Sequence, residues 1–219
     1  MLQKTPKPSG NKVTKVTITP PNFLEAIIEI EGTSPYVMNS MSSATRAAIV
    51  AKQEEGSQSR KGRLRPPKDF DAIYKGMMHV STEGWYGMPA SAFRAAMISA
   101  CRTVGFKMTV GKLSLFVIAD GIDNSDGQML VRLEGKPTRR DLPVKLADGS
   151  TDILPRPFFD RWSAKVRVRW DADQFTPNDI VNLMNRVGTQ VGIGAGRHDS
   201  KQSTGMGWGC FKIKTMHEA

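Results

Sequence analysis

The chain lacks several features that identify common protein classes. It has two cysteines, Cys101 and Cys210, and their spacing matches no metal-binding or redox motif. No stretch approaches the roughly 20 apolar residues that a membrane-spanning helix needs. Residues 1–10 also lack the apolar centre of a signal peptide. These absences predict a cytoplasmic protein whose two thiols are reduced and buried.

Recognisable catalytic and metal-binding motifs are missing as well. The sequence has neither a serine-hydrolase elbow nor a zinc-protease motif. Its three histidines are scattered: His79, His198 and His217. The segment 120–127 resembles a calcium loop, but Ile122 and Leu133 occupy positions that need carboxylates, so we expect a tight turn. The sequence therefore predicts no cofactor and no metal, and it favours a binding protein over an enzyme.

Glycine is concentrated near the C-terminus. Between residues 191 and 211 lie Gly192, Gly194, Gly196, Gly205, Gly207 and Gly209. Arg197, His198 and Lys201 lie between the two glycine clusters. Because glycine accepts positive φ and lets another chain approach closely, this stretch predicts a backbone cradle for a flat or anionic ligand.

This glycine-rich stretch does not match the nucleotide-binding motifs. It has no P-loop, and its first three glycines are evenly spaced rather than G-x-G-x-x-G. Thr176, Pro177 and Asp179 predict a helix start upstream, and Gly188 predicts its end. A short strand is expected over 208–214. The order helix, loop, strand is the reverse of that in dinucleotide-binding domains.

A formal net charge of +10 favours a polyanionic partner. An anionic membrane is the rival partner, but no basic amphipathic helix supports it. Residues 1–20 are interpreted as a mobile basic lead-in. The segment 45–68 carries seven cations against two carboxylates, and its middle, EEGSQSRKGRLRPP, is interpreted as an exposed loop or inserted finger. Four of its cations are candidate nucleic-acid ligands, although a solvated charge run is the alternative: Arg60, Lys61, Arg63 and Arg65.

The clearest predicted strand covers 161–170. Its apolar residues alternate with Arg161, Ser163, Lys165, Arg167 and Arg169, which therefore share one face. Two interpretations stay open. The cations form a phosphate-binding face, or they pair with glutamates of a neighbouring strand: Glu25, Glu29 and Glu31.

Four further segments complete the prediction. Alternation predicts a strand over 23–32, and a 3.6-residue period predicts a helix over 90–105, ended by Gly105. The helix would bury Phe93, Ala96, Met97, Ala100, Cys101 and Val104. A strand is expected over 112–120, and 134–158, rich in proline and charge, is interpreted as a loop-rich excursion.

Three stretches in this order resemble the RAMP superfamily, the RNA-binding proteins of CRISPR systems. They are 26–38 (AIIEIEGTSPYVM), 86–102 (YGMPASAFRAAMISACR) and 191–211, about a quarter of the chain. The second resembles the family's helix entry, I-P-x-S-S-L-(K/R)-G, at Met88, Pro89, Ser91, Phe93, Arg94 and Ala95. The glycine stretch is longer between its clusters than the family pattern.

The resemblance implies a ferredoxin-like, RNA-recognition-type α+β fold: an antiparallel sheet backed by two helices. It implies one such domain over 21–219, with insertions at about 45–85 and 120–158. It also implies a backbone subunit that polymerises along single-stranded RNA or DNA, in a CRISPR-type complex or as a phage or mobile-element protein.

The predicted phosphate contacts on the strand 161–170 and in the glycine-rich stretch are Arg161, Lys165, Arg167, Arg169, Arg197 and Lys201, with backbone contacts from Gly192, Gly194, Gly196, Gly205 and Gly207. Trp85, Tyr86 and Trp208 are candidates for stacking a base, although a core position is the alternative for Trp208. Other hypotheses are a metal-independent endoribonuclease using His198, and a structural protein acting through protein contacts.

Overall fold

A computed structural model describes residues 19–41, 43–54, 67–145, 149–200 and 205–218. The strands are β1 Phe23–Gly32, β2 Tyr36–Val37, β3 Gly87–Pro89, β4 Leu115–Ile118, β5 Gly121–Ile122, β6 Met129–Gly135, β7 Thr138–Lys145, β8 Thr151–Phe159, β9 Trp162–Asp171 and β10 Phe211–Glu218. The helices are α1 Ser43–Glu54, α2 Phe70–Gly76, α3 Ala90–Thr103, α4 Met108–Ser114 and α5 Pro177–Arg186. Across the described ranges, none of these helices has the length and apolar character needed to span a membrane.

The main sheet is antiparallel and has β1 and β9 at its centre. β10 pairs with the outer edge of β1, while β4 and β6 pair in succession along the other edge of β9. The chain passes through α3 between β1 and β4, and through α5 between β9 and β10. The order β1-α3-β4-β9-α5-β10, with spatial order β10-β1-β9-β4, is that of a ferredoxin-like core. The predicted α+β fold class is confirmed.

Alternation along β1 and β9 builds the core. Ala26, Ile28 and Ile30 of β1 are fully buried, and so are Val166 and Val168 of β9. They form one apolar cluster with side chains of α3 and α5: Phe93, Met97, Ile180 and Met184. Burial of each large side chain contributes about 1.5–3 kcal/mol. The helices therefore cover one sheet face, and the odd-numbered residues of β1 and β9 project from the other.

The helix α5 begins as predicted and ends differently. Thr176 accepts a hydrogen bond from the Asp179 backbone, and the Asp179 carboxylate accepts from Thr176, which is a capping box. Gly188 does not end the helix, because the chain continues through a π-helical turn over Val187–Val191. A Cβ at Gly188 would overlap the Phe211 carbonyl oxygen. This glycine therefore allows β10 to approach closely rather than stopping the helix.

Two predicted boundaries near α3 are wrong. Val104 caps the C-terminal end of the helix and is 52% exposed, whereas the predicted periodicity buried it. Residues 112–114, expected to begin a strand, form the last turn of α4, and the strand starts at Leu115. A Cβ added at Gly111 would lie 3.2 Å from Cys101 Sγ, which shows that α4 packs tightly on α3. That tertiary packing overrides the apolar alternation of the segment.

The segment 134–158 is not loop-rich but largely β-structure. β7 and β8 form an antiparallel hairpin, and β2 pairs with the end of β8. The prolines fit because β7 is an edge strand and β2 pairs only with Phe158 and Phe159. Pro155 and Pro157 therefore occupy positions of β8 that have no ladder partner for an N–H. The predicted tight turn before β6 is confirmed, since Gly127 N donates to the Asp123 carbonyl at 3.0 Å.

Candidate nucleic-acid interface

The glycine-rich loop, residues 192–209 between the π-helical turn and β10, takes a backbone path that needs glycine. All six of its glycines have positive φ, from 69° to 79°. A Cβ at Gly209 would overlap the Ile193 carbonyl oxygen, and one at Gly194 would lie 2.5 Å from the Tyr36 ring. Other side chains would be strained in this conformation whatever the space around them.

Backbone hydrogen bonds hold the described parts of this loop to each other and to β2. Ile193 N donates to Gly209 O at 3.1 Å, and Met206 N donates to Gly196 O at 2.8 Å. Ala195 N donates to Val37 O at 3.0 Å. The Trp208 ring packs edge-on against Phe158, with centroids 5.0 Å apart. Trp208 thus packs against the β8 sheet instead of opening β10, and its ring is half-buried.

An acidic residue ties the loop to α3. Asp199 accepts hydrogen bonds from the Ser99 hydroxyl and from Arg102 Nη2, the latter at 3.2 Å. The Ser99 hydrogen bond, together with the Arg102 charge, holds the pKa of Asp199 below its usual range despite some burial. The carboxylate is therefore ionised at neutral pH and fixes the loop beside the helix.

Between α3 and this loop lies a cavity of about 790 Å³, which we call the α3 groove. Four cationic side chains line it, and Asp199 is the carboxylate among its described lining residues: Arg94, Arg102, Lys112 and Arg197. Arg94 Nε donates to Leu115 O at 2.9 Å, and Arg197 Nη1 donates to Gly194 O at 3.2 Å. Backbone carbonyls thus orient two of the cations without neutralising their charge.

The cationic face of β9 is partly neutralised by glutamates of β1. Lys165 Nζ lies 2.8 Å from Glu29 Oε1, and this pairing raises the pKa of Lys165 and lowers that of Glu29. On β10, Lys212 Nζ lies 3.2 Å from Glu31 Oε2. Lys165 thus forms the predicted ion pair with a glutamate of β1, whereas Arg167 is exposed and lies beside Ile27 of β1.

The predicted phosphate contacts on β9 and those in the glycine-rich loop lie on different faces of the sheet. The glycine-rich loop packs on α3, which covers the buried face of the sheet. Arg167 and Arg169 project from the opposite face, as the alternation along β9 requires. Among the residues that the structure describes, which leave out 201–204 of the loop, the β9 cations and the glycine-rich loop form no joint surface. The structure replaces it with two separate surfaces, the α3 groove and the open sheet face.

Other predicted site residues fall in varied places. Arg60, Lys61, Arg63, Arg65 and Lys201 lie outside the described residues, and Arg161 is exposed just before β9. His198 is exposed, and its ring lies 3.4 Å from a Cβ built on Gly207. Within the described ranges no hydrogen bond or ion pair positions the His198 imidazole. Trp85 is half-buried and donates to Glu83 at 3.1 Å.

A buried His–Asp pair was not predicted. His79 Nδ1 lies 2.7 Å from Asp123 Oδ2, and both side chains are buried. Burial alone would raise the pKa of Asp123, but hydrogen bonds from Ser125 and His79 outweigh it and hold that pKa below its usual value. The two residues lie 44 positions apart, and no spacing in the sequence indicated that they meet.

Comparison with known proteins adds little to these observations. No family model matches the chain, and no curated protein matches it. One similar solved chain comes from a cryo-EM structure of the Type III-B Cmr-beta bound to cognate target RNA. The TM-score is 0.48 and the identity 9%, over 89% of this chain and 60% of that one. This chain thus spans less than two thirds of that chain's length, and the ferredoxin-like description rests on the strand order alone.

Proposed function

We propose that this protein binds single-stranded nucleic acid and that the α3 groove holds its sugar–phosphate backbone. The observation that carries the proposal is the convergence of four cations and a glycine-rich loop on one cavity. A nucleic-acid strand lying there would find Arg94, Lys112 and Arg197 in one lining, while Arg102, the fourth cation, is paired with Asp199. The formal net charge of +10 gives the whole molecule the same preference for polyanions.

Each part of the groove has a role in this proposal. The guanidinium and ammonium groups neutralise phosphates and release condensed counterions, so affinity falls as salt rises. The small side chains Ser91 and Ala95 on α3 leave space for the strand, and Ser91 offers a hydroxyl. RNA is preferred over DNA in the proposal because the sequence motifs of α3 and the loop resemble those of RNA-binding RAMP proteins.

The open sheet face is the weaker candidate for the phosphate track. Lys165 and Lys212 already pair with glutamates, and an ion-paired cation offers less to a phosphate. Arg161 and Arg167 stay available as outer contacts. The proposal therefore assigns the primary backbone contacts to the groove and secondary contacts to the sheet.

The proposal is tested with two matched charge-removal variants. Lys112→Ala with Arg197→Ala removes two cations from the groove, and Lys165→Ala with Lys212→Ala removes two from the sheet face. Fluorescence anisotropy with a labelled 30-nucleotide oligouridylate is measured across a salt series. The groove variant should lose affinity and should lower the slope of log K against log salt by roughly 0.7 per lost contact.

The sheet-face variant should retain most of the affinity and slope. Equal effects of the two variants, or no binding by the wild-type protein, would overturn the assignment to the groove. Circular dichroism of both variants checks that neither has lost its fold.

We also propose, on the resemblance alone, that the protein is a repeating subunit of a nucleoprotein filament. Electron microscopy with and without a long single-stranded RNA tests this form of the proposal. Filaments that lengthen with the RNA would support it. Isolated particles at saturating RNA would restrict the protein to binding as a single subunit.

A further inference from the structure

We infer a nucleobase-stacking subsite at the edge of the sheet, formed by Phe23, Phe116 and Arg169. This inference rests on the proposed binding of single-stranded nucleic acid and adds a contact that reads bases rather than phosphates. The three residues come from β1, β4 and β9, which are neighbours in the sheet around its central strand. All three project from the open face.

The cluster holds a guanidinium between two rings. Arg169 Cζ lies 5.1 Å from the Phe23 ring centroid and 5.3 Å from that of Phe116. The two rings meet edge to face, with centroids 5.6 Å apart. These distances are those of cation–π contacts, which orient the guanidinium without using its N–H donors.

Arg169 has no polar partner within the part of the chain that the structure describes. Its Nε is buried and makes no hydrogen bond, and Glu25, its register partner on β1, forms no ion pair with it. The Nε–H is the donor buried without a partner, and a buried donor without a partner costs free energy. The terminal N–H groups of this half-buried guanidinium are the donors that a ligand with oxygen or nitrogen acceptors would bind.

The cluster adjoins the α3 groove through Arg94. The Arg94 guanidinium lines the groove and also lies over the Phe116 ring, with Cζ 5.4 Å from its centroid. Phe116 therefore contacts one guanidinium from the groove and one from the sheet face. β4 is the edge strand of the sheet here. A nucleic-acid chain that leaves the groove past Arg94 would therefore cross β4 and reach Phe23.

A nucleobase would supply both an aromatic ring to stack on Phe23 and acceptor atoms for Arg169. Phe23 is 38% exposed, so part of an aromatic ring faces solvent beside an unpaired cation. A base would stack on that ring, and its carbonyl or ring-nitrogen acceptors, or its 5′ phosphate, would accept hydrogen bonds from Arg169. Stacking tolerates any base, which suits binding without sequence preference.

The experiment compares two probes and three variants. The probes are a labelled 12-nucleotide oligoadenylate and an abasic ribose–phosphate strand of equal length. The variants are Phe23→Ala, Phe23→Trp and, as a matched control, Leu24→Ala, which truncates the adjacent exposed apolar residue. Wild type should bind oligoadenylate at least roughly fivefold more tightly than the abasic strand.

Phe23→Ala should lose most of that preference while keeping its affinity for the abasic strand. Leu24→Ala should keep both affinities. Phe23→Trp should keep the preference, and its fluorescence should fall on adding oligoadenylate by more than in wild type. The abasic strand should cause no such extra fall.

The outcomes separate the two proposals. If Phe23→Ala loses affinity equally for both strands or for neither, the stacking subsite is overturned while groove binding stands. If wild type binds neither strand, both proposals are overturned. If Phe23→Ala does not fold, the fluorescence of Phe23→Trp decides, because a quench equal to that of wild type contradicts stacking at position 23.

Discussion

The carboxylate of Asp199 in the glycine-rich loop is bound by Arg102 of α3, with Asp199 Oδ1 and Arg102 Nη2 3.2 Å apart. This ion pair joins the two walls of the α3 groove and also puts a negative charge where the proposed ligand carries its phosphates. Loop position and ligand affinity are therefore coupled through one side chain.

Replacing Asp199 by Asn should tighten nucleic-acid binding. The amide oxygen of Asn can still accept from Ser99, so the loop stays docked, while the repulsion of phosphates is lost. We expect roughly two- to fivefold higher affinity for oligouridylate at low salt, with a steeper salt dependence. Anisotropy titrations measure both. Unchanged or weaker binding would indicate that phosphates do not approach this carboxylate.

Position 209 requires glycine for two reasons: its φ is positive, and the Ile193 backbone lies where a Cβ would be. Gly209→Ala should destabilise the fold by more than the roughly 1–2 kcal/mol that left-handed backbone costs a residue with a Cβ, since the new atom overlaps Ile193 O. Gly127→Ala is the control, because its φ is also positive, at 71°, but nothing lies within 4 Å of the added Cβ. Urea unfolding compares the two. Equal losses would mean that conformation alone selects glycine at 209.

The buried carboxylate of Asp123 should make stability depend on acid pH. Its pKa is lowered in the folded protein, so its contribution is present above the unfolded value of about 3.9 and is lost as pH falls through the folded value. Asp123→Asn should lower the free energy of unfolding by about 1–3 kcal/mol at pH 7, and the difference from wild type should narrow near pH 3. Urea unfolding at both pH values checks this, with the exposed Asp173→Asn as control. A difference that does not change with pH would contradict it.

Glutamates on β1 should restrain the cationic sheet face. Glu29→Gln with Glu31→Gln frees Lys165 and Lys212 from their ion pairs, so this variant should bind oligoadenylate more tightly at low salt. At roughly 1 M salt the gain should disappear, because exposed charges are then screened within about 3 Å. Glu54→Gln with Asp173→Asn removes the same charge elsewhere. An equal gain in that control would trace the effect to net charge alone.

The central elements could be predicted because each depends on local signals. The alternation in 23–32 and 161–170 and the Thr176–Asp179 cap are encoded within a few residues, and the strands and helix start there as expected. The glycine-rich loop was likewise recognised from composition, and its positive φ angles explain that composition.

The rest depends on contacts between distant residues. Gly188 signals a helix end in isolation, yet it lies inside a π-helical turn, and its missing Cβ leaves room for the Phe211 backbone. The prolines predicted loops in 134–158. Proline is nevertheless accepted in a strand wherever the neighbouring strands require no N–H donor, and this depends on how β8 pairs with β2 and β7. The separation of the glycine-rich loop from Arg167 follows from which sheet face α3 covers, and no local pattern specifies that.

The prolines of β8 also limit how copies of this protein can join. The Pro157 carbonyl accepts a hydrogen bond from Met38 N at 3.1 Å on the side facing β2. Pro155 lies two residues earlier in the same strand, so its backbone faces the same side. A β-strand from another molecule that continued the line of β2 along β8 would find no amide hydrogen at either proline. Sheet extension is therefore disfavoured along this stretch of β8, and a polymer would form through another strand edge, such as β7 or β10, or through a side-chain surface.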